Sequence, residues 1–157
     1  NVTHLRPGAF MENVLMSLET VKTAGTIFLP VPGEARVPMV ATADIASAAA
    51  AILLDQAWSG VGAVMLYGPE EVCYNDVAAT LTRVLGTPVT HVQVTSGQAR
   101  EAMLGMGLTP DMVSQYLELY EAFGNGRIVQ GLPDQPDLRG ATTFEEYART
   151  AIRPLIG

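Results

Sequence analysis

The stretch LRPGAFMEN, Leu5 to Asn13, reads as the end of a buried strand, a Pro-Gly turn and the first turn of a helix. That order belongs in the middle of an α/β domain, with strands in front of it. Only four residues precede Leu5. Val2 to Leu5 then reads as a strand remnant, and Pro7-Gly8 turns the chain. Phe10 to Val21 is expected to be a helix, with Phe10, Val14 and Leu18 on one face at four-residue spacing.

Working outward, the α/β alternation continues. Gly25 ends the helix, Thr26 to Leu29 is β-rich, Pro30 to Gly33 is a loop, and Arg36 to Val40 is a second short strand. An Ala-rich helix follows to Leu54, its start capped by Thr42 or Asp44. Ala63 to Tyr67 reads as a fully buried strand, with the Tyr67 hydroxyl as its one polar side-chain group. Asn75 to Leu85 is a helix stopped by Gly86. Val89 to Val94 alternates as a half-exposed strand.

From Ser96 the chain turns helical. Ser96 to Met106 is one helix, stopped at Gly107. Thr109-Pro110-Asp111 opens the next, with a Thr cap, Pro in the first turn and an acid at the positive dipole end. It runs to Phe123. Gly124 to Gly140 is loop-rich, and Thr143-Phe144-Glu145-Glu146 opens a last helix as a capping box. The change of character near residues 86–88 marks a boundary between residues 1–86 and 87–157.

Composition narrows the function classes. With 157 residues the chain is long enough for one domain, and 48% hydrophobic against 16% charged residues argues for a packed core. So little charge suits a surface partly covered by another domain or subunit. The net charge of −7, with Lys22 the single lysine, disfavours nucleic acid and anionic membrane surfaces. One cysteine, Cys73, excludes an internal disulfide and fits a reducing compartment. No apolar run approaches the roughly 20 residues of a membrane span, and no signal peptide is visible, so a cytoplasmic chain is expected.

Stand-alone catalytic motifs are missing from the 157 residues. No G-x-G-x-x-G stands between a strand and a helix: Gly60-Val61-Gly62 lacks the third glycine, and Gly124-Asn125-Gly126 precedes no helix. There is no G-x-x-x-x-G-K loop. Tyr-x-x-x-Lys is absent, because Leu18 stands four before Lys22. His4 and His91, the two histidines, lie far apart and suggest no metal site. Cys73 precedes a helix with no visible base, so it reads as a small half-buried residue. Glu70-Glu71 and Glu145-Glu146 lie at or before helix starts, where the dipole favours acids. Met103, Met106 and Met112, with Leu104, Leu108, Leu117 and Leu119, form an apolar helical zone. It is either core or the wall of an adaptable pocket for an apolar ligand.

Several stretches together resemble the C-terminal half of an NmrA-like, NAD(P)-binding atypical short-chain dehydrogenase/reductase. They are LRPGAFMEN, VPMVATADIASAAAAIL, AVMLYGPEEVCYNDVAATLTRVLGTPV and TTFEEYARTAI, in that order along nearly the whole chain. Cys73 departs from the pattern, where a Ser or Thr cap is commoner. The resemblance implies an α/β fold: the C-terminal part of a Rossmann-type parallel sheet over residues 1–86, and a small helix-rich substrate lobe over 87–157. It also implies a Gly-rich turn and most of the parallel strands ahead of LRPGAFMEN in a full-length parent.

For function, the resemblance implies an NAD(P)H-dependent reductase acting on an apolar carbonyl or quinone. Two alternatives stay open: a non-catalytic NAD(P)-sensing regulator, and an assembly module pairing with another chain. Pro7 and Gly8 would bring backbone close to the cofactor ring, since Gly admits a neighbour that a Cβ would exclude. Phe10, Met11 and Asn13 would face the substrate, with Asn13 as the hydrogen-bonding group. For Phe10 and Met11 the alternative is a core side chain, and for Asn13 a helix-surface amide. Asp44 resembles the acid of the family's Asp-Ile-Ala segment and is read as an N-cap. NAD(P) is expected in the parent, with no tight binding to this chain alone. The expected partners are a small apolar molecule and either a second copy or the missing N-terminal half, with neither nucleic acid nor membrane.

Overall fold

The computed structural model describes residues 1–55, 58–130 and 135–156. They form an α/β chain in which Val2–Pro7 with Val61–Tyr67, Ala9–Phe10 with Arg36–Val40, Thr26–Leu29 with Thr90–Gln93, and Val61–Tyr67 with Leu138–Arg139 pair in parallel. They divide into two compact units. Unit 1 comprises Asn1–Met16, Val37–Val72 and Pro133–Gly157; unit 2 comprises Ser17–Arg36 and Cys73–Leu132.

In unit 1, β1 (Val2–Pro7) pairs in parallel with β5 (Val61–Tyr67), and β5 with β8 (Leu138–Arg139). The sheet order β1-β5-β8 leaves β1 at an edge. The strand expected to be fully buried is buried only at its carboxyl end. Leu66 and Tyr67 are 1% and 6% exposed, while Val61 is 80% exposed. Two of the short strands, β2 (Ala9–Phe10) and β4 (Arg36–Val40), also pair in parallel, and β6 (Glu71–Cys73) lies on the other side of β4.

The helix expected over Phe10 to Val21 is corrected. Phe10 still belongs to β2, Met11–Ser17 forms a 3-10 helix, and only α1 (Leu18–Ala24) is α-helical. A 3-10 helix has three residues per turn, so faces repeat at i and i+3. Met11, Val14 and Ser17 are accordingly the buried row. The four-residue face of Phe10, Val14 and Leu18 does not form. Another unit 1 helix, α2 (Thr42–Leu54), has no buried residue.

Unit 2 pairs β3 (Thr26–Leu29) with β7 (Thr90–Gln93) in parallel. Its helix α3 (Tyr74–Leu85) buries Val77, Leu81 and Val84 on one stripe and ends at Gly86, whose φ of 75° is left-handed. Then come α4 (Ser96–Gly105) and α5 (Pro110–Gly124). Thr109 caps α5 as expected, its hydroxyl accepting from the Met112 amide at 3.3 Å.

Within the loop-rich stretch Gly124 to Gly140, residues 131–134 lie outside the described residues. The rest contains a 3-10 turn, Arg127–Val129, and strand β8, both unforeseen. The last helical run returns to unit 1. It is α6 (Phe144–Tyr147), a π turn (Ala148–Ile152) and α7 (Arg153–Ile156), opened by Thr143 accepting from the Glu146 amide at 3.1 Å.

Candidate functional site

Ligands of open parallel α/β sheets bind beyond the carboxyl ends of the strands. In unit 1 that end is Pro7 of β1, opposite Leu66 of β5. The next residue, Gly8, donates its amide to the Leu66 carbonyl at 2.9 Å. The chain does not reverse at Pro7-Gly8; it leaves one sheet there and enters β2. Gly8 has a neighbour that requires glycine. A Cβ there would run into the carbonyl oxygen of Pro38 in β4. Gly68, just past β5, meets the Met39 carbonyl in the same way. The open face of Gly8 is therefore filled by protein backbone, and the Pro7 ring and the chain around it are what remains to offer a ligand.

The 3-10 periodicity then sorts the candidate side chains. Phe10 and Asn13, three residues apart, are both exposed, and Met16 continues the row. Phe10 is 40% exposed, too open for a core ring. Met11 is 1% exposed and packs as core behind that row. Met16 is 42% exposed, and the α-helical period of the sequence pattern does not mark it.

Beside this row, Glu12 reaches α2. Its carboxylate accepts from the Thr42 amide at 3.0 Å and from the Thr42 hydroxyl at 2.6 Å. The start of α2 is thus tied down by a residue 30 positions away, and neither Thr42 nor Asp44 is the cap: the N-cap residue is Ala41. Asp44 instead accepts from the Thr142 amide at 3.0 Å and hydroxyl at 3.1 Å, bracing the turn before α6. No local sequence signal marks the Glu12–Thr42 contact.

Tyrosine hydroxyls complete the polar inventory. Those of Tyr67 and Tyr147 are buried with no hydrogen-bond partner among the described residues. Burial raises the Tyr67 pKa, with Glu71 adding to it. Burial, then the Glu12 charge, pushes Tyr147 up to about 12. Both phenols are neutral near pH 7. In unit 2, His91 stacks on Tyr74 with ring centroids 5.6 Å apart. Burial lowers its pKa, while Glu34 pulls the other way. Among the described residues, no group of three or more His, Cys, Asp or Glu is placed to hold a metal ion. No described helix is long and apolar enough to cross a membrane.

The chain is 32% identical over 149 residues to the NAD(P)H azoreductase of Xenophilus azovorans, a match covering 94% of this chain and 51% of that protein. Its fold is similar to that of an NADPH-dependent quinone oxidoreductase of Escherichia coli, with a TM-score of 0.74 at 24% identity, over 92% of this chain and 52% of the other. It is also similar to NmrA, a negative transcriptional regulator solved with NADP, with a TM-score of 0.63 at 20% identity, over 98% of this chain and 52% of the other. The chain spans about half the length of these three proteins. Residues 1–148 match the model of the NmrA-like family, and the chain belongs to that family.

Proposed function

We propose that the chain is the C-terminal half of an NAD(P)H-dependent reductase that acts on an apolar carbonyl or quinone. The observation that carries this reading is the exposed row of Phe10 and Asn13, which follows directly on the carboxyl end of parallel β1. Similarity to an NAD(P)H azoreductase along 94% of the chain supports the reaction class. In this reading residues 1–86 form the cofactor-side α/β portion, and 87–157 the substrate lobe. The protein works in the cytoplasm on a small apolar molecule, without nucleic acid or membrane.

The residues present fit the cofactor in part. They include no Gly-rich pyrophosphate turn, so that end of NAD(P) is held by the other half of the parent. Pro7 would border the nicotinamide, which supplies the hydride when bound; Gly8 would serve there only through its main chain, because its open face is filled by the Pro38 carbonyl. This chain's own side chains position the substrate. Phe10 packs against its flat apolar face, Asn13 hydrogen-bonds its carbonyl oxygen, and Met11 backs them from the core.

Kinetics of the full-length parent test this. Asn13→Ala removes one bond to a polarised oxygen, a contribution of about 0.5–1.5 kcal/mol or more where charge develops. Turnover should fall roughly tenfold with cofactor affinity unchanged. Phe10→Ala should raise KM through lost apolar contact. Both positions are exposed, so neither variant should unfold. Wild-type kinetics in both would remove the reading.

A second reading, an NAD(P)-sensing regulator, is favoured by the similarity to the fold of NmrA, a negative transcriptional regulator. A third is an assembly module pairing with another chain. A parent that binds NADPH and turns over no quinone would favour the regulator. A parent without a Gly-rich turn would favour the module.

A further inference from the structure

Unit 2 carries a groove of its own on α5. Met112, Gln115, Tyr116 and Leu119 line a cavity of about 380 Å³. Their spacing of three, four and seven residues puts them on one face of the helix. Met112 and Leu119 are 47% and 37% exposed, which is unusual for large apolar side chains on one stripe. The floor is fixed: the Tyr116 ring stacks on Tyr120, with centroids 6.4 Å apart and planes 27° apart, and Tyr120 is 8% exposed.

We propose that this groove binds a neutral, flat, ring-bearing small molecule with one carbonyl-type acceptor. Neutrality follows from the lining among the described residues, which includes no charged side chain. Flatness follows from the backed tyrosine ring, which offers an aromatic face for offset stacking. The Met112 thioether adapts to the edge of such a ligand. The Gln115 amide offers a polar handle beside the tyrosine, donating N–H to a carbonyl oxygen. A protein partner fits less well. Specific protein interfaces bury about 1,200–2,000 Å², more than two turns of one helix supply. The cavity instead falls within the roughly 300–1,000 Å³ typical of small-ligand sites. The groove gives the proposed substrate lobe its contact residues, and it stands on its own geometry whether or not the parent is a reductase.

Coumarin, a neutral bicyclic ring with one carbonyl, is the probe, titrated into the 157-residue chain carrying ¹³C-methyl methionine. The Met112 methyl signal should shift and saturate. Met112→Glu, at an exposed position, should abolish saturable binding with the circular dichroism spectrum unchanged. Tyr116→Ala should weaken binding roughly tenfold through loss of the stacked ring. A non-saturating or absent Met112 response overturns the proposal. So does wild-type affinity in Met112→Glu, which decides the matter if Tyr116→Ala does not fold. The Asn13 and Phe10 kinetics do not enter this measurement, so the two readings can fail separately.

Discussion

At Gly8 the α-carbon is pressed against the Pro38 carbonyl, and the glycine is required by that contact alone. Gly8→Ala forces β2 and β4 apart, and overpacking of this kind typically costs about 1–3 kcal/mol. Urea denaturation should show that loss. An unchanged midpoint would mean that β4 moves aside freely. From the sequence, Gly8 is recognisable as a place of close approach, and the structure puts the Pro38 carbonyl there. A glycine states that a neighbour is near without stating which one. Met11 teaches the same lesson from the other side. Its hydrophobicity is equally consistent with a substrate wall and a core, and its burial in the structure is what separates it from the exposed Phe10 and Asn13.

Element boundaries were legible wherever a local signal sets them. Thr109-Pro110-Asp111, Gly86 and Thr143 start or stop helices as read, because capping acts within one turn. The cysteine before α3 shows how far such a signal can bend. It is not one of the usual capping residues Ser, Thr, Asp or Asn, yet the cap survives through the acid three residues on. The Asp76 carboxylate accepts from both the Cys73 amide and the Cys73 thiol at 3.1 Å. These bonds, the backbone one first, hold the Asp76 pKa below its ordinary value. A depressed carboxylate contributes stability that is present above the unfolded-state pKa and lost as pH falls through the folded one. Asp76→Ala should therefore cost about 1 kcal/mol near pH 7. The gap between wild type and variant should close on acidification below the ordinary Asp range of about 3.9. A gap independent of pH would show that Asp76 acts through packing. The start of α2 was illegible for the opposite reason: Glu12 and Thr42 are 30 positions apart, and no window of sequence joins them.

Across the whole molecule, the α/β class was legible in the sequence because its strands and helices alternate, but the extent of cover over the sheet was not. Without a Gly-rich turn the 157 residues lack a pyrophosphate cradle, so calorimetry should detect no tight NAD(P)H binding; a micromolar Kd would refute this. The cover itself leads to the last prediction. Purely parallel sheets are normally packed on both faces. In unit 1, Val2 and Val61, register partners at the start of β1 and β5, are 48% and 80% exposed. Leu53 and Leu54, at the end of α2, are 76% and 81% exposed. β1 is an edge strand among the described strands, with parallel neighbours on one side only. An open edge beside exposed apolar side chains is a template for association. The isolated chain should scatter light as a species heavier than the monomer, growing with concentration. Leu53→Glu combined with Leu54→Lys should shift it toward monomer. Because both side chains are already exposed, the change should alter stability by no more than about 0.5 kcal/mol each. If the chain is the C-terminal half proposed above, co-expression with the other half should suppress association in the same way. A monomer at every concentration, with or without the substitutions, would mean that the open edge and the leucines are tolerated in water, and the assembly reading would fall.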